Sequence, residues 1–454
     1  RMSPPAVHRV AVVGGGIGGL ALARALVRKG IDAHVYEQAP SFSSTAGAGF
    51  ILQPNGSACL QAIGVPRDEI EQIVHPLRDV TLIGGAGRLL ARSNAFGDMQ
   101  RRYAQPLGGA LRAELVDVLA HPLAAEHRIH WASRVVAVAQ DDEGVTATLE
   151  TGERVRADIL IGADGVHSQI AYAIDAAHER LLRESPRPGG YRFQPALGTN
   201  SYEHERVFYG VILDADLPFR HEELGNPHTL LEELSHGEFI SYGLGRGRDE
   251  RSADGGPCRA LMWMQTVREA GDYKARDEWT AARDPARAND ALRAFIARSP
   301  FHDDHPIREA AERTARGRLS SFPISARAHR DVWHHGRICL LGDAAHATLP
   351  YTAQGLNMSI EDAVVLADVL ADADASGSPV HAAFAAYTRV RHARTKACVA
   401  QAEANAALLR SRAALLDRWR DSLLGAVVSG GVLQYAFNAQ IEGCPVDIQS
   451  ARAA

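Results

Sequence analysis

Three glycine-rich turns, each closing a hydrophobic run, carry the residues that could do chemistry in this 454-residue chain. In the first, Gly14, Gly16 and Gly19 stand in G-x-G-x-x-G spacing with Ile17 between them, and Glu37 follows about 20 residues on. The second is Asp164-Gly165. The third begins at Gly342-Asp343 and runs through Pro350, Gly355 and Leu356 to Asn357. In the first turn Gly14 allows a tight bend, Gly16 lets the backbone approach a pyrophosphate, and Gly19 permits close helix–strand packing. A carboxylate at Glu37 can accept hydrogen bonds from ribose hydroxyls. Asp343 can do the same for other hydroxyls, while the free N–H groups of the helix start that follows face electron-rich oxygens. The common chemistry is retention of a dinucleotide, and the fingerprint alone leaves NAD and FAD open. Asp164 also has a plainer role available, capping backbone amides in a tight turn.

These residues work only if elements hold them. Residues 8–13 form a strand in this reading, 20–29 an Ala/Leu helix ending near Gly30, and 32–36 a second strand that delivers Glu37. The stretches 158–162 and 337–341 are further buried strands, each ending in an acidic turn, and 358–370 is helix-like. This is an α/β, Rossmann-like domain. Between its parts lie short strand-like runs at 80–83, 207–213, 239–244, 259–267 and 318–322, which predict an antiparallel sheet forming a substrate domain. Residues 246–257 and 268–290 are polar and Gly/Asp-rich and read as loops with a short helix. Gly243-Leu244-Gly245-Arg246-Gly247 lacks the helix and acid of a second fingerprint. From Ala382 the chain is Ala-rich and helical. Apolar residues at helix spacing, among them Leu408, Leu415, Trp419 and Leu423, predict packing on its own domain.

An amino-terminal G-x-G-x-x-G, a central Asp-Gly and a later Gly-Asp, in this order and spacing, resemble the class A FAD-dependent monooxygenases, the para-hydroxybenzoate hydroxylase-like aromatic hydroxylases. The run Ala46-Gly47-Ala48-Gly49-Phe50-Ile51-Leu52-Gln53-Pro54-Asn55 resembles their loop toward the flavin, and Leu111-Arg112-Ala113-Glu114-Leu115 their R-x-x-L helix start. The resemblance covers about residues 8 to 400. It implies a discontinuous FAD-binding domain (5–76, 103–180 and 331–385), a substrate domain (77–102 and 181–330) and a C-terminal helical region (386–454). In the roles it implies, Gly14, Gly16 and Gly19 face the FAD pyrophosphate, Glu37 holds the adenosine ribose, and Arg112 reaches the phosphate or ribityl region. Val135 lies near the adenine, and Gly342-Asp343 binds the ribityl or pyrophosphate side. Pro350, Gly355, Leu356 and Asn357 border the isoalloxazine, and Asp164 serves both FAD and NAD(P)H. The implied reaction uses NADPH or NADH and O2, through a C4a-hydroperoxyflavin, to hydroxylate an aromatic or polyketide-like molecule of secondary metabolism. The same fold could instead run an oxidase or oxygen-insertion reaction, or bind FAD and a ligand without turnover. One departure is Ala171, where the family often places an Arg three residues after the Ser of the second motif.

The substrate should lie between the flavin and the sheet, with Gln53, Tyr209, Tyr242, Trp263 and Tyr351 as candidate contacts. Because faces alternate along a strand, Trp263 and its neighbours Met262 and Met264 cannot all point at a ligand. No catalytic base stands out, and His346 reads as structural.

Bulk composition narrows the partners. Hydrophobic residues make up 46% and charged residues 23%, with a formal net charge of -5. A weakly acidic protein is a poor candidate for binding nucleic acid, where basic charge must face phosphates. Five scattered cysteines without a CxxC indicate neither a zinc site nor a disulfide framework. No apolar run reaches the ~20 residues needed to span a bilayer. A fingerprint beginning by Gly14 leaves no room for a signal peptide. The expectation is a cytoplasmic monomer or homodimer acting on a small aromatic molecule, without metal.

Overall fold

The structure, a computed structural model, describes residues 9–42, 49–84, 88–184, 201–213, 229–235, 238–251, 257–268, 290, 310, 312–314, 319–326, 328–409, 422–428 and 431–448. At its centre is a six-stranded sheet in the order His334–His335, Ile338–Leu340, Ile159–Gly162, Arg9–Val13, Asp32–Tyr36, Ile129–His130. All its pairings are parallel except that of His334–His335 with Ile338–Leu340. Its central strands are continuous apolar runs because helices cover both faces, so no alternation is needed. The Ile17–Arg28 helix packs on this sheet and against the Gly355–Ser376 helix.

The register decides where the three turns meet. Val13 lies beside Gly162, and Gly162 beside Leu340. Each turn therefore leaves the carboxyl end of one of three adjacent parallel strands, the edge where open α/β sheets bind ligands.

The second large sheet has seven strands in the order Leu319–Ala326, Ser201–Leu213, Pro257–Arg268, Glu238–Arg251, Thr229–Ser235, Asp79–Gly84, Arg88–Ser93. It is antiparallel except where Thr229–Ser235 runs parallel to Asp79–Gly84. Those two strands come from chain segments far apart in sequence, so no hairpin constrains their direction. The loop expected over 246–257 is wrong at its start and end. The strand Glu238–Arg251 enters that polar segment as far as Arg251, pairing Arg246 with Arg259 and Gly247 with Cys258, and Pro257 already begins the next strand. Ladder bonds are made by backbone and do not require apolar side chains.

Smaller sheets complete the frame. One pairs Gly49–Leu52 with Gly108–Leu111, so that the chain segment reaching the cavity is strapped to the start of the Arg112–Ala125 helix. The carboxyl-terminal part is helical, with Val380–Leu409 running 30 residues, unbroken at 385, followed after an interval by Val432–Glu442.

Candidate functional site

The first turn is shaped by what glycine leaves out. Gly14 has φ +108°, and a Cβ there would meet the Ala163 carbonyl oxygen at 2.5 Å. A Cβ on Gly19 would meet the Gly14 oxygen at 2.1 Å, so the helix sits directly on the turn. A Cβ on Gly16 would meet nothing within 4 Å. Gly16 therefore faces open space at the amino terminus of the Ile17–Arg28 helix, whose first N–H groups lack helical partners. Glu37 first serves the loop itself: its Oε2 accepts from the Gly15 N–H (2.7 Å) and its Oε1 from the Ala39 N–H (2.8 Å). Each carboxylate oxygen keeps a lone pair for a further donor.

In front of Gly16 lies a cavity of about 1560 Å³. Of the expected cofactor residues, Gly16, Ile17, Arg112, Gly342, Asp343, Pro350, Gly355 and Leu356 border it. Asp343 sits deep in the protein, yet its side chain is accessible because it faces this cavity rather than the outer surface. Burial raises its carboxyl pKa, and the charges of His346 and Arg112 oppose that rise. Gly14, Gly19, Glu37, Val135, Asp164 and Asn357 are not among the lining residues; Val135 is buried in the apolar core.

Asp164 takes the capping role. Its Oδ2 accepts from the N–H groups of Gln169 (2.7 Å) and Ile170 (3.4 Å), holding the start of the Gln169–Glu184 helix. Burial raises its pKa against the hydrogen bonds from Ser168 and Gln169. Ala171, three residues after Ser168, is fully buried.

Asn357 and Gln53 stitch two loops together. The Asn357 Oδ1 accepts from the Gln53 N–H (3.1 Å), and its Nδ2 donates to Ile51 O (3.2 Å) and Ala353 O (2.8 Å). Gln354 Nε2 donates to Gln53 Oε1 (2.7 Å). The Gly49–Leu52 strand and the turn after Pro350 thereby become one rigid wall. Thr352, on that wall, keeps a buried Oγ1 without a hydrogen-bond partner.

Beneath the third turn is a buried ion network that the sequence reading missed. Arg391, fully buried, donates through Nε to Asp362 Oδ1 (2.7 Å) and through a terminal nitrogen to Glu361 Oε2 (2.5 Å). Arg394 adds a bond to Glu361 (2.7 Å), and Asn55 another (2.7 Å). The Asp362 Oδ2 accepts from the Gly342 N–H (3.1 Å) and pairs with His346 Nε2 (2.6 Å). Burial alone would raise the Asp362 pKa; His346 and Arg391 overcome it and hold the carboxyl at about 2. The turn that presents Asp343 is thus anchored by ions on two later helices. The signal in the sequence was the adjacent pair Glu361-Asp362 inside the apolar run of the Gly355–Ser376 helix.

On the sheet side, Tyr209 and Met264 are paired and share a face, with Met262 two residues on. All three border the cavity, and Met262 packs where a Gly49 side chain would be. Burial raises the Tyr209 pKa. Trp263 also borders the cavity, but its ring lies on the opposite strand face, against Gly210, and its Nε1 donates to Thr314 Oγ1 (3.0 Å). Tyr242 lies on the Glu238–Arg251 strand, and its side chain is outside the described residues. Tyr351 borders the cavity, and its hydroxyl donates to Glu205 Oε1 (2.7 Å). Among the described residues no group of three or more His, Cys, Asp or Glu side chains is arranged to hold a metal ion. Among the same residues no helix is long and apolar enough to cross a membrane.

Comparison with known proteins bears directly on this arrangement. The family described as "FAD binding domain" matches residues 8–182 and 238–402. The chain is 31% identical over 371 residues to 3-amino-4-hydroxybenzoate 2-monooxygenase PtnB3 of Streptomyces platensis, covering 82% of this chain and 81% of that protein. It is 28% identical to 6-hydroxynicotinate 3-monooxygenase of Bordetella bronchiseptica, over 83% of this chain and 85% of that one. Among solved structures, Klebsiella pneumoniae HpxO complexed with FAD and uric acid shares the fold. The TM-score is 0.76 at 22% identity, over 96% of this chain and 97% of that one.

Proposed function

The chain belongs to the FAD binding domain family and is an FAD-dependent monooxygenase, and from that premise we propose that it hydroxylates a small aromatic or polyketide-like molecule at the expense of NAD(P)H and O2. The observation that carries this reading is the cavity bounded on one side by the three turns and on the other by the seven-stranded sheet.

The residues present fit an FAD. Gly16 leaves a cradle that any side chain would fill, Asp343 faces the cavity with an accessible carboxyl, and Thr352 carries an unpartnered buried hydroxyl on the same wall. Gly16 and Ile17 would offer helix-start N–H groups to the pyrophosphate. Glu37 would take ribose hydroxyls. Arg112 and Asp343 would take phosphate and ribityl oxygens, and Pro350 with Gly355 and Leu356 would border the ring. When bound, FAD supplies the electron storage and oxygen activation that no side chain provides. The protein's share is position and exclusion of water. The stitched wall of Gln53, Gln354 and Asn357 fixes the ring-side loop, and Tyr209, Met262 and Met264 close the opposite side. The free N–H groups at the start of the Gly355–Ser376 helix would favour negative charge on a ring bordered by Gly355 and Leu356.

Stopped-flow spectroscopy of the FAD-loaded protein tests the reading. Flavin bleaching by NADH or NADPH is expected, accelerated by an aromatic substrate, with hydroxylated product formed in O2. A flavin that neither nicotinamide reduces would sink it.

A further inference from the structure

The cavity extends well past its cofactor half. Its volume of about 1560 Å³ exceeds the roughly 300–1,000 Å³ of ordinary ligand sites. Beyond the three turns and the sheet it continues along the Val380–Leu409 helix, where Val390, Arg394, Ala397, Gln401, Asn405 and Leu408 all border it. Steps of three and four residues keep these side chains on one face of the helix. From Val390 to Leu408 that stripe is roughly 27 Å long at 1.5 Å per residue. It passes the turn after Pro350 at Asn405, whose Nδ2 donates to the Tyr351 carbonyl (3.0 Å). Leu424 and Val427 of the helix over 422–428, and Tyr435 and Phe437 of the Val432–Glu442 helix, border the same space.

Charge is scarce along this arm. Among the described residues that border the cavity, only Arg112, Asp343 and Arg394 are charged, and the first two belong to the cofactor side. Arg394 is committed to protein partners: it donates to both oxygens of Glu361 (2.7 and 2.6 Å) and to the Gln440 carbonyl (2.6 Å). Gln401 Nε2 donates to Asn405 Oδ1 (2.8 Å), so those two amides bond each other. Gln440 Oε1 is buried without a hydrogen-bond partner and could accept one donor. Meanwhile Val390, Leu408 and Tyr435 are 49%, 37% and 76% exposed. Apolar residues scattered singly over a surface are ordinary, but these three border one cavity. An apolar ligand gains by covering them, whereas an anion there would be desolvated without a free cation to pair with.

We propose that the substrate is a neutral aromatic ring bearing an extended, uncharged aliphatic chain, an inference that rests on the monooxygenase reading above. The ring lies between the cofactor turns and the sheet, and the chain lies along the Val390-to-Leu408 stripe. The arm is walled by helices and shares one cavity with the ring site, which suits a chain joined to the ring better than the flat face of a second protein.

The test is isothermal titration of the oxidised, FAD-loaded full chain with 4-ethyl-, 4-butyl-, 4-hexyl- and 4-octylphenol. Kd is expected to fall about 4-fold for each methylene buried. The acid 4-(4-hydroxyphenyl)butanoate puts a carboxylate partway along the arm and should bind at least about 30-fold more weakly than 4-butylphenol. Leu408→Asp and Val427→Asp, both at partly exposed positions, place a charge beside the chain and should cut the gain to less than about 1.5-fold per methylene. FAD content and thermal midpoint establish folding, and Leu408→Asp carries the test if Val427→Asp does not fold. Acceleration of flavin reduction should reach its half-maximum at concentrations following the same order as Kd. A flat series, or no binding of 4-octylphenol, overturns the chain site. So does a chain-length gain that survives in the folded variants, because the chain then lies elsewhere. A wild-type dimer in sedimentation velocity that Tyr435→Ser dissolves overturns it as well, since a second copy then covers the exposed face. Titration needs no turnover, so these failures stand apart from a flavin that neither nicotinamide reduces, which sinks the monooxygenase reading and with it the ligand's standing as substrate.

Discussion

Replacing Arg391 by Met probes the link between the ion network and the cofactor turn most directly. Methionine fills much of the same space and is apolar, so the change removes charge and hydrogen bonds more than volume. Three contacts disappear: those to Asp362 Oδ1, to Glu361 Oε2 and to the Met358 carbonyl. Glu361 keeps Arg394 and Asn55, and Asp362 keeps His346 and the Gly342 N–H. Even so, two fully buried carboxylates then share fewer cations. Breaking a buried pair by removing one partner costs about 3–5 kcal/mol. Unfolding entropy is about 2.1 cal/mol/K per residue. For 454 residues unfolding as one unit, each kcal/mol then moves the midpoint by about 1 °C, so a loss of about 3–5 °C is expected. The effect should extend to the cofactor, because Asp362 also holds the Gly342 N–H at the base of the turn that presents Asp343. Differential scanning fluorimetry, read through flavin release and through tryptophan, measures both. Arg389→Met, on the exposed face of the same helix, is the control and should shift the midpoint by less than about 0.5 °C. An Arg391→Met protein with an unchanged midpoint and unchanged flavin release would refute the claim that these ions anchor the cofactor turn.

Asp343→Ala should strongly weaken FAD retention, leaving a paler protein after desalting; a fully yellow preparation would contradict its place at the cofactor. Gly19→Ala puts a methyl group 2.1 Å from the Gly14 oxygen, so the helix must move off the turn. Loss of FAD and a lower midpoint are expected by calorimetry, and normal loading would show that the turn tolerates the shift. Acid should loosen the protein through Asp362. Its pKa is lower when folded, about 2 against 3.8, so it contributes stability near neutrality on the order of 2 kcal/mol. That share is complete above about pH 5 and is lost as pH falls toward about 2. The raised carboxyls of Asp164 and Asp343 act in the opposite sense, gaining stability on protonation. Urea midpoints from pH 6 to pH 3 should therefore fall less steeply in Asp362→Asn than in wild type.

Much of the cofactor half was legible because its information is local. The expected strand of residues 32–36 coincides with Asp32–Tyr36, and Arg9–Val13 lies within the expected 8–13. The helix seen over 358–370 is the middle of Gly355–Ser376. Glycine spacing and apolar runs report backbone geometry directly, so these needed no tertiary information. The strands Arg88–Ser93 and Thr229–Ser235 were not legible. Neither carries a clean alternation, and each is held by partners across the sheet rather than by its own propensity.

By itself the amino-acid order determined the three turns, the βαβ unit and the resemblance that points to FAD, because short-range sterics and hydrogen-bonding capacity are written in residue type and spacing. Only the tertiary structure decided which of those residues reach the cavity. Asp343 faces it while Asp164 turns back to cap a helix, although both are acids in a turn after a buried strand. It also decided that Arg391, 48 residues after Asp343, shares an ion network with Gly342, and that Tyr351 meets Glu205 of the seven-stranded sheet. Those pairings depend on how the sheet register and helix packing bring distant segments within about 3 Å, the reach of a hydrogen bond. Burial then removes competing water, and the contacts become strong enough to set charge and position.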